Sequence, residues 1–276
     1  MSYNGLSMEK SDFSSVYTRN NVKISGNGKE TLMFGHGFGC DQNTWRLVAP
    51  AFEEHFKIVL FDYVGAGNSE LAAYDDERYG KLEGYAQDLI DIYQGLGLTD
   101  ITFIGHSVSS MIGLLALKKC PEIFKKIIFI GPSPRYINGP DYPGGIEETD
   151  LYDLLEVMDS NYLGWSRTLA PKIMGNPDQP HLGTALADSF CATNPDIARK
   201  FARVTFLSDN RKDLAYLKIP SLTIQCNDDF LTSRDVAKYI HENTISNSMV
   251  FLESSGHCPH LSAPEEVIKA IKVFLQ

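Results

Sequence analysis

Ile101-Thr102-Phe103-Ile104-Gly105-His106-Ser107-Val108-Ser109-Ser110-Met111-Ile112-Gly113 is the stretch that decides the fold. It opens as a short apolar, β-branched run, passes through Gly-His-Ser, and continues as an apolar helix to about Lys119. A strand that turns sharply into a helix with a Ser at the turn is the context of a nucleophile elbow. Such a turn strains the Ser backbone and lifts its hydroxyl above the sheet edge. Small residues two before and two after the Ser let strand and helix pass closely. Gly105 fills the first place; Ser109 stands in the second, where the general pattern has Gly. The plainer alternative is a tight strand–helix turn with an idle Ser.

Working outward, strands alternate with helices on both sides. Upstream, Val16 to Ile24 reads as an edge strand closed by Gly26-Asn27-Gly28. Thr31 to Phe34 is a short strand running into Gly35-His36-Gly37-Phe38-Gly39. Thr44 to Phe52 reads as a short helix and Lys57 to Asp62 as a buried strand. Tyr85 to Leu96 has helical apolar spacing and ends at Gly97. Downstream, Lys126 to Ile130 is another buried strand. From Arg135 to about Asp213 strand-like runs disappear. Amphipathic stretches replace them, at Ile146 to Met158, Leu163 to Met174, Thr184 to Phe190 and Pro195 to Leu207, punctuated by Pro171, Pro177, Pro180 and Pro195. Alternation then resumes with strands at Ser221 to Cys226 and Met249 to Leu252, and helices at Ser233 to His241 and Pro264 to Leu275. The pattern predicts an α/β protein with a mostly parallel sheet covered on both faces. Residues 15–134 and 214–276 form the core, and 135–213 a helical lid over the C-terminal sheet edge, where ligands bind in such folds. Residues 1–14 are polar and without period, and read as a flexible leader; Met8 is an alternative start.

Bulk properties narrow the function. With 276 residues, 43% hydrophobic and 22% charged, the chain has the composition of a globular protein with a sizeable core. A net charge of −10 disfavours nucleic acid and anionic membrane surfaces as partners. No export signal or bilayer-length apolar run is visible, which points to the cytoplasm. The five cysteines are scattered, with no C-x-x-C, and read as reduced thiols.

A Ser hydroxyl needs a base, and the base an orienting carboxylate. In this topology they follow in the order Ser, acid, His. Asp228 and Asp229 follow a late strand, and His257 follows the last one. Each alone has a bland reading, a helix cap or a loop His; together and in order they make Ser107, Asp229 and His257 the expected triad. Asp229 is preferred as the acid, Asp228 being read as a turn residue or cap. His257 follows Gly256, which permits a tight turn, whereas His260 is read as structural. The oxyanion of a tetrahedral intermediate needs two donors. Val108 N–H supplies one and the Gly37-Phe38-Gly39 loop the other, at Phe38. His36 and His106 are placed as packing or pocket-lining residues, and Asp62 as structural support. A metal site at His257, Cys258 and His260 lacks spaced partners, so neither metal nor cofactor is expected. Cys40 and Cys258 lack the elbow context of a nucleophile. Asp at the elbow, which haloalkane or epoxide chemistry would want, is absent.

Several segments carry a resemblance: His36-Gly-Phe-Gly-Cys-Asp-Gln42, Leu60-Phe-Asp-Tyr-Val-Gly65, Gly105-His-Ser-Val-Ser-Ser-Met-Ile-Gly113, Gly131-Pro-Ser-Pro-Arg-Tyr136 and Gly256-His-Cys-Pro-His-Leu261. From about Val16 to the C-terminus the chain resembles the α/β-hydrolases of the RsbQ type, bacterial regulators of the sigma-B stress response. It also resembles their plant relatives, the strigolactone and karrikin receptor hydrolases. Asp62-Tyr-Val-Gly65 and Gln225-Cys-Asn-Asp-Asp229 favour the bacterial branch. The resemblance implies Ser107, Asp229 and His257 as triad, Phe38 and Val108 as oxyanion donors, and pocket positions at Tyr136, Trp165 and Phe206. Gly37 and His106 join the expected substrate-binding set. Ser109 matches the family, which often carries Ser there; Ser233 departs from it, since relatives often have Pro. The implied function is a serine hydrolase for a small apolar ester or lactone, acting as a monomer in stress signalling beside a sensor-domain phosphatase. The alternatives are a ligand receptor whose hydrolysis is dispensable, and a generalist carboxylesterase.

Overall fold

The computed structural model describes residues 16–276; the leader expected at 1–14 lies outside the described residues. Seven strands make one sheet: β1 (Lys23–Ser25), β2 (Thr31–Gly35), β3 (Lys57–Leu60), β4 (Ile101–His106), β5 (Lys126–Ile130), β6 (Ser221–Asp228) and β7 (Asn247–Ser255). Their spatial order is β1-β3-β2-β4-β5-β6-β7. Every neighbouring pair is parallel except β1 with β3.

Each central strand feeds two cores. Every residue of β2 and β4 is buried, as strands covered on both faces require. Successive side chains alternate in face. Leu32, Phe34, Ile104, Ile128 and Ile130 therefore join Trp45, Val267 and Ile271 in one core. Met33, Phe103, Ile127 and Phe129 join Leu89, Ile112 and Leu115 in the other. The second core is closed by α1 (Leu82–Gly95) and α2 (Val108–Lys119), the first by the C-terminal helix Pro264–Leu275.

Between β5 and β6 the chain makes four helices: α3 (Glu148–Ser160), α4 (Tyr162–Met174), α5 (Pro180–Ala192) and α6 (Pro195–Phe206). They are tied to the loops at the C-terminal sheet edge. Ser189 donates to the Gly39 carbonyl at 2.7 Å, and the His257 N–H donates to the Ile173 carbonyl at 2.9 Å.

Two local expectations are corrected. Val16 to Ile24 is not one strand. Residues 16–19 are helical and only Lys23–Ser25 pairs, because Asn21 turns at φ 44°. The Asn20 side chain reaches the Asp62 carbonyl and the Asp88 carboxylate, and the Asn21 side chain the Asp62 carboxylate. Thr44 to Phe52 is two 3-10 turns, Gln42–Trp45 and Ala49–Phe52, with Pro50 opening the second. Pro171 lies inside α4, in keeping with the helical stretch expected at Leu163 to Met174. One helical turn follows it, closed by Gly175 at φ 66°, whose N–H donates to the Pro171 carbonyl.

Candidate active site

Ser107 sits between β4 and α2 with φ 55° and ψ −122°, a strained region for a residue with a Cβ. Gly105 is required beside it, since a Cβ there would lie 2.8 Å from the Ser109 backbone. The Ser107 N–H donates to the Ile130 carbonyl at the end of β5, which fixes the turn on the sheet.

The two late strands bring the other groups to the same edge. His257 Nε2 is 2.8 Å from Ser107 Oγ, and His257 Nδ1 is 2.8 Å from Asp229 Oδ2. All three side chains are buried. Asp229 is held by the start of its own loop. Its carboxylate accepts from the Leu231 and Thr232 N–H groups, the Thr232 hydroxyl and the Gln225 amide. Burial alone would push this carboxyl up. The His257 imidazole and these donors outweigh it and hold Asp229 below the usual carboxylate range. Asp228 is exposed and contributes its carbonyl to the Gly256 N–H. The structure therefore separates the two neighbouring carboxylates by direction.

His257 is positioned from both sides. His106 Nε2 lies 2.8 Å from the His257 carbonyl, a bond in which the imidazole N–H donates. Gly256 before it has φ +93°, and a Cβ there would lie 1.9 Å from the Met174 carbonyl oxygen. Only glycine lets the end of α4 close on this loop. His260 takes no part in the relay: its Nε2 meets the Thr44 hydroxyl at 2.7 Å and its ring lies between Trp45 and His106.

Phe38 lies in the loop after β2 and Val108 follows Ser107, the two positions expected to supply N–H donors to an oxyanion. Neither N–H has a hydrogen-bond partner among the described residues. The loop carrying Phe38 is tied to the elbow by Ser109, whose hydroxyl donates to the His36 carbonyl and accepts from Tyr63 at 2.9 Å. That tie was not legible in the sequence, where Ser109 signals only a small residue. Asp62 supports the neighbouring turns by accepting from the Gln42 and Asn68 N–H groups.

Above Ser107 is a small cavity of about 20 Å³. Phe38, Tyr136, Phe190, Thr205, Phe206 and Leu231 are among its walls, and His106 borders it. That volume is near the minimum for a single water, so any larger occupant needs the wall side chains or the helices that carry them to rearrange. Trp165 stands one layer behind, edge-on to Phe38 and stacked on Phe190. Gly37 packs under His106, with no room for a Cβ: one would lie 2.6 Å from Nδ1. Sequence reasoning missed Thr205; its signal is one hydroxyl on the otherwise apolar face formed by Phe201, Ala202 and Phe206. Cys40 and Cys258 also reach the cavity. Burial pushes the Cys40 thiol up to about 12 and raises Cys258 as well, so neither is a thiolate near neutral pH.

Among the described residues no helix is long and apolar enough to cross a membrane, and no cluster of three or more His, Cys, Asp or Glu could hold a metal.

An elbow Ser at the edge of a mostly parallel sheet, hydrogen-bonded to a His from the last loop and through it to an Asp, defines an α/β-hydrolase. The chain belongs to the Alpha/beta hydrolase family, whose pattern matches residues 32–270. Within it the chain is 38% identical over 257 residues to the Karrikin insensitive 2 receptor CA of Petunia hybrida, covering 93% of this chain and 95% of that one. It is 36% identical over 253 residues to the Strigolactone esterase D14 of Arabidopsis thaliana, covering 91% and 94%. Among solved structures it is similar to olei00960, a hydrolase from Oleispira antarctica, with 40% identity, a TM-score of 0.94 and 99% of each chain covered.

Proposed function

We propose that the chain is a serine hydrolase for a small apolar ester or lactone. The observation that carries this reading is the buried relay from Ser107 through His257 to Asp229, with both links at 2.8 Å. In the proposed cycle Ser107 Oγ attacks the substrate carbonyl carbon as its proton passes to His257 Nε2. Asp229 accepts from Nδ1–H, fixes the tautomer and stabilises the imidazolium. The Phe38 and Val108 N–H groups receive the oxyanion. Collapse breaks the ester C–O bond, and His257 returns the proton to the leaving oxygen. Water, deprotonated by His257, then releases the acid and restores Ser107. The cavity walls favour a small, largely apolar acyl group.

The test is hydrolysis of 4-nitrophenyl butanoate by the wild type and by Ser107→Ala, with intact mass measured after a fluorophosphonate. The expected result is turnover and a single adduct on Ser107, both lost in the variant. Equal turnover by the variant overturns the mechanism.

The same site supports signalling by occupancy. The small cavity favours this second reading, because a ligand enters only by rearranging its walls, and a rearranged wall is a signal a partner can read. Similarity to proteins named as a receptor and as an esterase supports both readings. In this reading the chain works in the cytoplasm as a monomer beside a sensor-domain phosphatase of a stress pathway, in the manner of RsbQ-type regulators. Ser107→Ala that still binds a lactone, raises Tm with it and still engages the phosphatase supports occupancy as the signal. Loss of signalling with binding intact supports turnover.

A further inference from the structure

Thr205 lies in the last turns of α6 and is 1% exposed, yet its hydroxyl has no hydrogen-bond partner among the described protein groups. A Thr or Ser inside a helix ordinarily satisfies its hydroxyl on the carbonyl four residues back. Ser166, Thr168 and Thr184 in the neighbouring lid helices all do so. Thr205 does not. Its side chain borders the cavity over Ser107. Tyr136 also lines that cavity, and its buried hydroxyl has no partner within hydrogen-bond distance among those groups, Ser107 being its polar neighbour. The surrounding walls are apolar: Phe38, Ile173, Leu186, Phe190, Phe206 and Leu231. A hydroxyl left unpaired against such walls is destabilising, and an acceptor brought by a ligand removes that penalty.

We infer that Thr205 is a specificity-determining residue whose hydroxyl, flanked by that of Tyr136, receives a second oxygen of the substrate, set apart from the carbonyl that Ser107 attacks. The favoured substrates are small esters or lactones with an ether, ring or carbonyl oxygen a few bonds from the scissile group, in preference to plain alkanoyl esters. The inference rests on the Ser107 hydrolase reading and adds to it which acyl groups are preferred.

The test compares two nearly isosteric esters, 4-nitrophenyl butanoate and 4-nitrophenyl methoxyacetate, which differ by one CH₂ replaced by O. Thr205→Val keeps the shape and removes the hydroxyl. It is expected to lower the ratio of kcat/KM for the methoxyacetate to that for the butanoate about five- to twentyfold, chiefly through KM for the methoxyacetate. Thr205→Ser, which keeps the hydroxyl, is expected to retain the preference. An equal change on both esters in Thr205→Val, or loss of the preference in Thr205→Ser, overturns the subsite and leaves the Ser107 reading standing. If the wild type hydrolyses neither ester, the reading beneath the subsite fails with it.

Discussion

The hydroxyl of Ser109 donates to the backbone carbonyl of His36, joining the helix after the elbow to the loop that carries Phe38. The two residues are 73 positions apart in the chain. Ser109 also accepts from Tyr63, itself buried and edge-on to His36. His36 in turn offers Nδ1 to the Gly37 carbonyl and accepts the Tyr63 N–H at Nε2. The two proposed oxyanion donors are thus held at a fixed separation by one buried network.

Removing that tie has a defined consequence. Ser109→Ala leaves the His36 carbonyl and the Tyr63 hydroxyl without this partner in a dry site. The expected loss of stability is about 1–3 kcal/mol, read as a shift in urea midpoint, together with a fall in kcat on 4-nitrophenyl butanoate. Unchanged stability and kcat would show that the network does not hold the loop.

The neighbouring carboxylates give a sharp contrast. Asp229→Asn keeps the shape but cannot hold the same tautomer of His257, and kcat is expected to fall by about three to four orders of magnitude. Asp228→Asn, at an exposed side chain, is expected to leave kcat within about twofold. Parallel steady-state assays of the two variants decide the assignment; equal losses would refute it.

Phe38 separates backbone from side-chain roles. Its ring packs on Trp165, Phe190, Phe201 and Phe206, while its N–H is the proposed oxyanion donor. Phe38→Ala is expected to lose about 3–5 kcal/mol of stability by opening a cavity under the lid. The N–H remains, so short-ester turnover is expected to survive below the lowered Tm. Full stability with abolished turnover would reverse this division.

Acid should unfold the protein through its buried imidazoles. Burial holds His106 at about 3, and it lowers His36 and His260 as well. In the unfolded chain all three titrate near about 6.5. Between the native and unfolded values the unfolded chain binds more protons, so stability rises with pH across that window. Tm is expected to be level above about pH 7 and to fall steadily from about pH 6.5 downward. His106→Gln should flatten part of that slope. A Tm unchanged between pH 7.5 and pH 5 would contradict these buried neutral states.

Much of this was legible because two physical rules act locally. Strands buried on both faces must be apolar throughout, so β2, β4 and β5 announce themselves as runs. A strand–helix turn needs small residues around its Ser, so Gly105 and Ser107 mark the elbow. The lid helices were visible through their amphipathic spacing. Val16 to Ile24 misled because its weak alternation runs through Asn20 and Asn21, whose side chains bind Asp62 and Asp88 far along the chain and hold a turn there. Pro171 did not end the expected helix, because a proline late in a helix removes one bond and leaves a final turn possible.

The sequence by itself determined the α/β alternation, the elbow at Ser107, and the order in which an acid and a His follow it. Those properties depend on residue type and spacing along one chain. Only the tertiary structure decided that Asp229 rather than Asp228 faces His257, that Ser109 binds the His36 loop, and that Thr205 lines the cavity with its hydroxyl unbonded to its own helix. These depend on side-chain direction and on partners tens to hundreds of residues away, which packing sets and local pattern does not encode.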